Sequence, residues 1–395
     1  MQFFLQQREI SNVERLSENA LRLTSELIRI RSDGSELGVA QHLQGLVESR
    51  FQRFSPDIQI QNFVENRANL FIRFGVPSVV FSTHMDTVAP DIQMNLLNPR
   101  FEDNGEVLFG RGACDAKGII AAIIESSHYL LENGYSNFGL LFVGDEEQSH
   151  LGARAAATWL KNAEIEYLIN GEPTEGMIAV GHLGGVKMRV EVAGVSSHSG
   201  SPQFGINAAS RLRRLLSHWE DLALLGELGA HPQLGVSSMN VYDERILTGG
   251  DNMVPHSAEA SFFARPVVTV EEFIALLQSC GDAYLDTLVS QERPHKSPSM
   301  YEALEATRFS LAQKPEYKSY DPWNSRLQVN GAQTVTMPYG TDLPYLQGLA
   351  RVGCVLTGPG SIQSAHSDFE HITRTQMRAG IETYVSLAQS LALLL

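Results

Sequence analysis

The amino-acid sequence predicts an α/β fold: a mainly parallel sheet with helices on both faces, into which a small α+β domain is inserted. Three observations favour this class. Short β-type runs alternate with helical stretches over the first half of the chain. Near Gly181 the pattern changes to strands of alternating polarity around two long helices. From about residue 300 strands and helices alternate again, which predicts that the first domain is discontinuous.

The predicted first domain opens with a helical region over residues 13–53, where apolar positions recur at helical spacing. The candidates that follow are, in order, the strands NLFIRF and SVVFST, the helix KGIIAAIIESSHYLLENG, the strand FGLLFVG, the helix GARAAATWLKNA and the strand IEYLIN. Late in the chain, RVGCVLTG is a strand candidate and YVSLAQSLALLL a packing helix. Strands that alternate with helices in this way form βαβ units, whose parallel strands are covered on both faces.

The predicted insert follows a different order. Its candidates are the strand VKMRVEVAG, the helix NAASRLRRLLSHWEDLALL, the strands SSMNVYDE and AEASFFARP, and the helix VEEFIALLQSCGDAYLDTLV. This β-α-β-β-α order is typical of a ferredoxin-like α+β domain. We therefore predict a catalytic domain over residues 1–182 and 293–395, and an inserted lid or dimerisation domain over residues 183–292.

Composition limits the class of protein and its partners. The chain has 395 residues, which favours two domains, and a net charge of −15. This acidic balance argues against nucleic-acid binding, which needs clustered Lys and Arg. Three distant cysteines without a CxxC pair indicate a reducing compartment. The amino terminus is a poor signal peptide and no apolar run reaches the ~18 residues of a membrane span, so we expect a cytoplasmic protein without a membrane partner.

Metal-ligand side chains follow one predicted strand after another. His84 and Asp86 come after the second strand, Glu146 and Glu147 after the third, and Glu172 after the fourth. Two further candidates are Asp115, before a helix, and His366, beyond the late strand. In open α/β sheets functional groups gather beyond the carboxyl ends of the strands. Histidines and carboxylates are suitable ligands for zinc, and there are enough of them for two ions that share a bridging carboxylate.

Each of these residues taken alone also has an ordinary structural interpretation. An aspartate before a helix, such as Asp115, is most often an N-cap. Glu146 and Glu147 could face solvent, and a single histidine such as His366 is more often structural than a ligand. The recurrence of such side chains at successive strand ends favours the metal site over these alternatives.

The motifs HMDTV, GRGACDAKG, GDEE, GEPT and AHSDFE resemble, in order and over nearly the whole chain, those of a known family. It is the di-zinc acetylornithine deacetylase and succinyl-diaminopimelate desuccinylase family, which also contains aminoacylases and zinc exopeptidases. The resemblance implies two zinc ions per subunit, with cobalt or manganese as possible substitutes. It implies that Asp115 bridges the two ions, that His84 and Glu172 complete one site, and that Glu147 and His366 complete the other. Asp86 would hold the far nitrogen of His84, and Glu146 would be the general base.

The resemblance extends to the insert. VSSHSG is similar to the family's lid motif and implies that His198 stabilises the oxyanion, reaching across a homodimer formed through the insert. GGDNMVP and FFARP imply substrate contacts by Asn252 and Arg265; the alternative for Arg265 is a surface ion pair. PYGTDLP, which contains Gly340, Thr341 and Asp342, resembles a substrate-side loop.

The resemblance implies a zinc-dependent hydrolase that deacylates a small N-acyl amino acid. GEPTEGMIAVGHLGGVKMRVEVAGVSSHSGSPQFGINAA is most similar to the acetylornithine deacetylase branch, so N2-acetylornithine, cleaved to ornithine and acetate in arginine synthesis, is the first predicted substrate. The alternatives are succinyl-diaminopimelate, acetylcitrulline or acetyl-lysine as the substrate, or a dipeptidase or carboxypeptidase of the same family. A catalytically silent metal-binding scaffold is the alternative from another class. GxSxG, HExxH and Walker-type motifs are absent from the sequence, which excludes the common serine-hydrolase, zincin and P-loop signatures.

Overall fold

The structure is a computed structural model that describes residues 2–5, 10, 12–89, 98–315, 317 and 319–392. Its helices are α1 (Val13–Ile28), α2 (Leu37–Arg50), α3 (Lys117–Glu132), α4 (Leu151–Trp159), α5 (Ala208–Leu224), α6 (Val270–Glu292), α7 (Tyr301–Ala306), α8 (Leu343–Leu346) and α9 (Arg374–Ala392). Its strands are β1 (Gln2–Phe4), β2 (Asp57–Val64), β3 (Arg67–Phe74), β4 (Val79–His84), β5 (Arg100–Glu102), β6 (Val107–Phe109), β7 (Phe138–Val143), β8 (Tyr167–Asn170), β9 (Ile178–His182), β10 (Val186–Ala193), β11 (Ala230–His231), β12 (Gly235–Val236), β13 (Ser238–Leu247), β14 (Ser257–Arg265), β15 (Phe309–Gln313), β16 (Trp323–Asn324), β17 (Gln328–Asn330), β18 (Thr334–Met337), β19 (Gly353–Leu356) and β20 (His371–Thr373).

The chain divides into two compact units. The first comprises Met1–Gly181, Asn324–Met337 and Thr341–Leu395, and the second comprises His182–Trp323 and Pro338–Gly340. The second unit therefore continues to Trp323 instead of ending at the predicted residue 292. The reason is β15, which pairs with β10 and adds a fourth strand to the sheet of this unit. Because β15 has only five residues, its alternation of buried and exposed positions is too short to identify a half-buried strand from the sequence.

The first unit contains the predicted mainly parallel sheet. Its central strands lie in the order β9-β19-β8-β4-β7-β3-β2. The four inner strands β19, β8, β4 and β7 are parallel to one another, whereas β9, β3 and β2 pair antiparallel at the two sides. Every residue of the four parallel strands is buried, as expected for strands covered on both faces. The carboxyl ends of all four strands therefore meet at one edge of the sheet.

Helices cover this sheet and complete its core. The apolar helix α3 packs against α1 and α9, and its first eleven residues are all buried. α2 and α4 pack against β2 and β3. The predicted helical region over residues 13–53 is two helices, α1 and α2, separated by a connection over residues 29–36. The predicted carboxy-terminal helix is confirmed as α9 through residue 392, and residues 393–395 lie outside the described part of the chain.

The second unit is a four-stranded antiparallel sheet with the order β13-β14-β10-β15, and α5 and α6 connect its strands. Alternate residues of β10 and β14 are buried beneath these helices, in a core that contains Trp219, Phe262 and Phe273. This βαββαβ arrangement is the predicted ferredoxin-like insert. Its role as a lid or a dimerisation domain stays a prediction. In the described part of the chain, none of the helices combines the length and apolar character needed to span a membrane.

Candidate metal centre

The predicted ligands follow the carboxyl ends of the four parallel strands. His84 is the last residue of β4, and Glu146 and Glu147 lie three and four residues beyond β7. Glu172 lies two residues beyond β8, and His366 is in the long connection after β19. Because these strand ends share one edge of the sheet, residues far apart in the sequence come together there.

His84 is buried and lies between two aspartates. Its Nε2 is 2.9 Å from Oδ1 of Asp115. Its Nδ1 is 3.0 Å from the carbonyl oxygen of Asp86 and 3.5 Å from the Oδ1 atom of the same residue. With the Nδ1 proton donated to Asp86, the Nε2 atom is directed toward Asp115, which is the orientation that a metal ligand needs.

The carboxylate of Asp86 has a further role that the sequence did not indicate. Its Oδ1 accepts the backbone N–H of Glu146 at 3.1 Å, and its Oδ2 accepts that of Glu147 at 3.0 Å. The closest contact from Asp86 to the His84 ring comes from the backbone carbonyl. Asp86 thus fixes the loop that carries both glutamates, in addition to orienting His84.

Asp115 also contacts the second histidine. His366 Nε2 lies 3.3 Å from Oδ2 of Asp115 and 3.0 Å from Oε1 of Glu147. Ligand atoms of His84, Asp115 and Glu147 all lie within 4.8 Å of one another. The side chain of His366 is 49% exposed, so this side of the cluster is open to solvent.

The alternative interpretation of Asp115 as a helix N-cap is not supported. The N-cap residue of α3 is Ala116, and the described residues provide this helix with no side-chain cap. The Asp115 carboxylate is instead directed at the two imidazoles. Among the described residues, the Asp115 carboxylate therefore contacts the two histidines and does not cap α3, and its role as a metal ligand stays a prediction.

The charges of the cluster shift the pKa values of its members strongly. Burial disfavours the charged imidazole of His84, but hydrogen bonds with Asp115 and Asp86 outweigh it and place the pKa well above its usual value. Hydrogen bonds with Asp115 and Glu147 raise the pKa of His366 to about 10. Burial would raise the pKa of Asp115, but the hydrogen bonds from His366 and His84 lower it.

Burial shifts three carboxyl groups of the cluster toward their neutral form. Burial, followed by the charge of Glu172, raises the pKa of Glu146 well above its usual value. Burial also raises the pKa of Glu172 and Glu147. Oε1 of Glu172 is buried without a hydrogen-bond partner among the described residues. Imidazole nitrogens and carboxylate oxygens in such surroundings fit a divalent cation of the zinc type.

The three candidates predicted in the insert lie in the second unit. His198 and Asn252 are exposed and occupy neighbouring segments, because His198 forms a bridge with Met253 and the Ser199 N–H donates to the Asn252 carbonyl. Arg265 is the last residue of β14 and is half-buried. The surface ion pair considered for Arg265 is not present among the described residues; its Nη1 donates to the hydroxyl of Tyr320 at 2.5 Å.

Known proteins are similar to this chain in sequence and in fold. Residues 80–390 match the sequence profile of peptidase family M20/M25/M40. The chain belongs to this family. A peptidase M20 domain-containing protein of Schizosaccharomyces pombe is 31% identical over 379 residues, which cover 93% of this chain and 83% of the relative. A probable carboxypeptidase of Emericella nidulans is 31% identical over 398 residues, covering 93% and 88%. The crystal structure of aminopeptidase PepT from Bacillus cereus superposes with a TM-score of 0.67 at 15% identity, covering 95% and 99%.

As a member of family M20, the protein is a metallopeptidase-type hydrolase that acts on amide or peptide bonds. The predicted enzyme class and fold class are therefore confirmed. The predicted resemblance is confirmed at the level of the family. The acetylornithine deacetylase branch, the deacetylase activity and the place in arginine synthesis are finer predictions that the family match does not establish.

In this M20 chain, Glu370 is a buried residue of the centre whose role the sequence did not indicate. Its Oε1 accepts the backbone N–H groups of Cys114 and Asp115, both at 3.2 Å, and its Oε2 accepts Nη1 of Arg111 at 2.7 Å. Burial, and next the charge of Asp115, raise the pKa of Glu370 to about 7. Glu370 belongs to the AHSDFE motif, but no local pattern shows that its carboxylate binds the backbone next to Asp115.

A second buried network holds the loop before Glu146. Arg67 pairs with Glu36 and with Asp145, and Asp145 also accepts the Ser149 hydroxyl at 2.5 Å and the Leu151 N–H at 3.0 Å. Arg67 and Glu36 lie on separate elements far from the GDEE motif in sequence, so no spacing signal could identify them.

A buried pair, His150 and Asp342, also lies near Glu146. His150 Nδ1 is 2.9 Å from Oδ1 of Asp342 and 3.9 Å from Oε1 of Glu146. The sequence offered Asp342 as part of a substrate-side loop but did not single out His150. The contact joins residues 192 positions apart, which a single sequence cannot reveal.

Proposed function

We propose that this protein is a two-metal hydrolase that cleaves the amide bond to the α-nitrogen of an amino acid with a free carboxylate. The observation that carries the proposal is the position of Asp115 between two histidines, with Glu147 in contact with one of them. Glu146, next to Glu147, supplies a nearly buried carboxylate with a strongly raised pKa. Together these residues provide a metal site and an acid–base group.

The residues fit two zinc ions. His84, Asp115 and Glu172 would hold one ion, and Asp115, Glu147 and His366 the other, with cobalt or manganese as possible substitutes. When bound, two such ions polarise an acyl carbonyl and lower the pKa of a water molecule. The burial of Glu172, which raises its pKa, and its unpartnered Oε1 support this assignment, because a bound cation would stabilise the ionised carboxylate.

Glu146 would move the protons of the reaction. Its carboxylate would accept a proton from the attacking water and return it to the departing nitrogen. A pKa raised by burial and by Glu172 suits a group that must both take up and release a proton near neutral pH. The two backbone N–H groups bound by Asp86 would hold Glu146 and Glu147 in these separate roles.

The second unit would supply substrate contacts. His198 would stabilise the negative charge that develops on the acyl oxygen. Asn252 would contact the substrate, and Arg265 would hold the α-carboxylate with its guanidinium fork. The absence of an acidic partner for Arg265 among the described residues supports a role in binding an anion.

Two substrate classes share this free carboxylate. The sequence similarity of the GEPT to GINAA region favours N2-acetylornithine. The name of the Emericella nidulans relative favours a peptide that is cleaved at its carboxyl end. In both classes the bond is an amide to the α-nitrogen of a terminal amino acid, so the same site can serve either substrate.

A hydrolysis screen tests the proposal. The protein, supplied with zinc or cobalt, is assayed on N2-acetylornithine, acetylcitrulline, acetyl-lysine, succinyl-diaminopimelate, dipeptides and amino-terminally blocked peptides. We expect turnover of at least one compound with a free carboxylate, and loss of that turnover in Glu146→Gln. A protein that binds zinc but hydrolyses none of them supports the catalytically silent scaffold instead.

We also propose a homodimer formed through the second unit. The edge strand β13 supports it, because its exposed residues include Tyr242, Ile246 and Leu247. Light scattering gives the mass in solution. A protein that is monomeric and fully active would exclude a role for His198 across a subunit interface. A cytoplasmic location remains part of the proposal and is tested by fractionation of the source cells.

A further inference from the structure

Arg265 is held by aromatic residues of the second unit. Its guanidinium carbon lies 4.5 Å from the centre of the Phe263 ring, and its Nη1 donates to the Tyr320 hydroxyl at 2.5 Å. None of the described carboxylates forms an ion pair with it. A guanidinium that stacks on an aromatic ring and binds a neutral hydroxyl keeps its positive charge available for an anion.

The backbone of Tyr320 is fixed beside β10. The Gly185 N–H donates to the Tyr320 carbonyl at 2.9 Å, and the Tyr320 N–H donates to the Gly185 carbonyl at 3.1 Å. In the neighbouring strand pair Val186 lies opposite Ala264, so the antiparallel register brings Gly185 opposite Arg265. Gly185 therefore has Arg265 opposite it on one side and Tyr320 opposite it on the other.

The side chain of Tyr320 reaches Arg265 because two glycines leave room for its ring. A Cβ atom on Gly185 would lie 2.5 Å from Cζ and 2.7 Å from Oη of Tyr320. A Cβ atom on Gly340 would lie 2.0 Å from Cε2 of the same ring. Both distances are far below a van der Waals contact, so any larger residue at either position would displace the ring from Arg265.

We propose that Tyr320 is a positioning residue for the substrate carboxylate, acting through Arg265. By accepting a hydrogen bond from Nη1, the Tyr320 hydroxyl fixes the rotation of the guanidinium. The edge formed by Nε and Nη2 then remains available for two parallel hydrogen bonds to a carboxylate. This inference rests on the proposed function, because it assumes that Arg265 binds the carboxylate of the amino acid that is released.

The variant Tyr320→Phe removes the hydroxyl and keeps the ring. We expect KM for the best carboxylate substrate to rise about tenfold, because a hydrogen bond to a charged group is lost. We expect kcat to stay within about twofold, since the interaction is made equally in the bound substrate and in the transition state. Tyr284→Phe is the matched control: Tyr284 belongs to the same unit, stacks on His218 with ring centres 4.1 Å apart, and should leave KM unchanged.

A substrate without the carboxylate separates positioning from a general structural role. The carboxamide of the same compound offers no anion to Arg265, so wild type and Tyr320→Phe should turn it over with the same KM. Gly185→Ala should raise KM for the carboxylate substrate as Tyr320→Phe does. Thermal unfolding of each variant verifies that the fold is intact. An unchanged KM in Tyr320→Phe, or an equal rise for carboxylate and carboxamide, would overturn the inference.

Failure of the proposed function is recognised separately. If the wild-type protein with zinc hydrolyses none of the compounds, the proposed function fails while the role of Tyr320 can still be measured by binding. Calorimetric titration with N-acetyl amino acids should then give a Kd about tenfold higher for Tyr320→Phe than for wild type. Equal Kd values, or a wild-type protein that binds none of these compounds, would overturn the inference as well.

Discussion

Oδ1 of Asp115 lies 2.9 Å from Nε2 of His84, although the two residues are 31 positions apart in the sequence. The other oxygen of the same carboxylate faces His366. Each oxygen of Asp115 is thus directed at a different imidazole. This is the arrangement expected of a carboxylate that is shared by two metal ions.

The first prediction concerns proton transfer. Glu146→Gln keeps the size of the side chain but removes its ability to accept a proton. We expect kcat to fall by about 10²–10⁴-fold, which is the usual contribution of general acid–base catalysis. Zinc content, measured by atomic absorption, should not change. Glu65→Gln, at an exposed position of the β2–β3 turn, is the control, and a Glu146→Gln enzyme with wild-type kcat would refute the assignment.

The second prediction concerns the loop that Asp86 holds. Asp86→Ala removes the carboxylate that accepts the Glu146 and Glu147 N–H groups and lies 3.5 Å from the His84 ring, whereas the backbone carbonyl that contacts the ring remains. We expect zinc affinity to fall about 10–100-fold, as is typical when the partner of a ligand is lost. Competition with a chromogenic chelator gives the affinity. Asp57→Ala, which breaks a surface pair with Arg73, should bind zinc like wild type. Unchanged affinity in Asp86→Ala would contradict the role of the loop.

The third prediction is that zinc binding releases protons. In the metal-free protein the pKa of His366 is raised to about 10, so its imidazole is protonated at neutral pH. A ligand nitrogen must lose its proton to bind a metal, so zinc affinity should weaken as pH falls. The raised pKa values of Glu147 and Glu172 also weaken zinc binding as pH falls, because a carboxyl group must lose its proton to bind the metal. Calorimetry in two buffers of different ionisation enthalpy measures the release, and heats that do not depend on the buffer would exclude it.

The fourth prediction concerns stability. Glu370→Ala leaves the buried guanidinium of Arg111 without its partner. We expect the free energy of unfolding of the metal-free protein to fall by about 3–5 kcal/mol, the usual cost of an unpaired buried charge. Urea denaturation gives the value. Glu382→Ala breaks the exposed pair with Arg378 and should cost about 1 kcal/mol or less. Equal effects of the two variants would show that the buried pair contributes little.

The sequence predicted the parallel sheet and the clustering of His84, Asp115, Glu147 and His366, because strand ends that share one edge bring their side chains together. It did not predict the two donors that bind the Asp86 carboxylate, since backbone N–H groups are equivalent in every sequence and only the loop conformation selects two of them. The order of the motifs thus predicts which residues lie close together. Which of their atoms form hydrogen bonds depends on the backbone conformation, which the sequence does not show.

Contacts between segments that are far apart in the chain could also not be predicted from the sequence. Tyr320 reaches Arg265 only because Gly185 and Gly340 have no side chain there, and three segments must meet before this is apparent. The end of the second unit was misplaced for a similar reason. β15 carries too few alternating residues to be identified, and only its pairing with β10 defines it.

β19 lies inside the sheet of the first unit, between β8 and β9, although it is nearly the last strand of the chain. His366 follows it, so the second histidine of the cluster is synthesised after β8, β9 and the whole second unit. A chain that stops before residue 353 therefore lacks both an inner strand and the proposed ligand His366. We therefore expect hydrolase activity to appear only in chains that extend beyond residue 366.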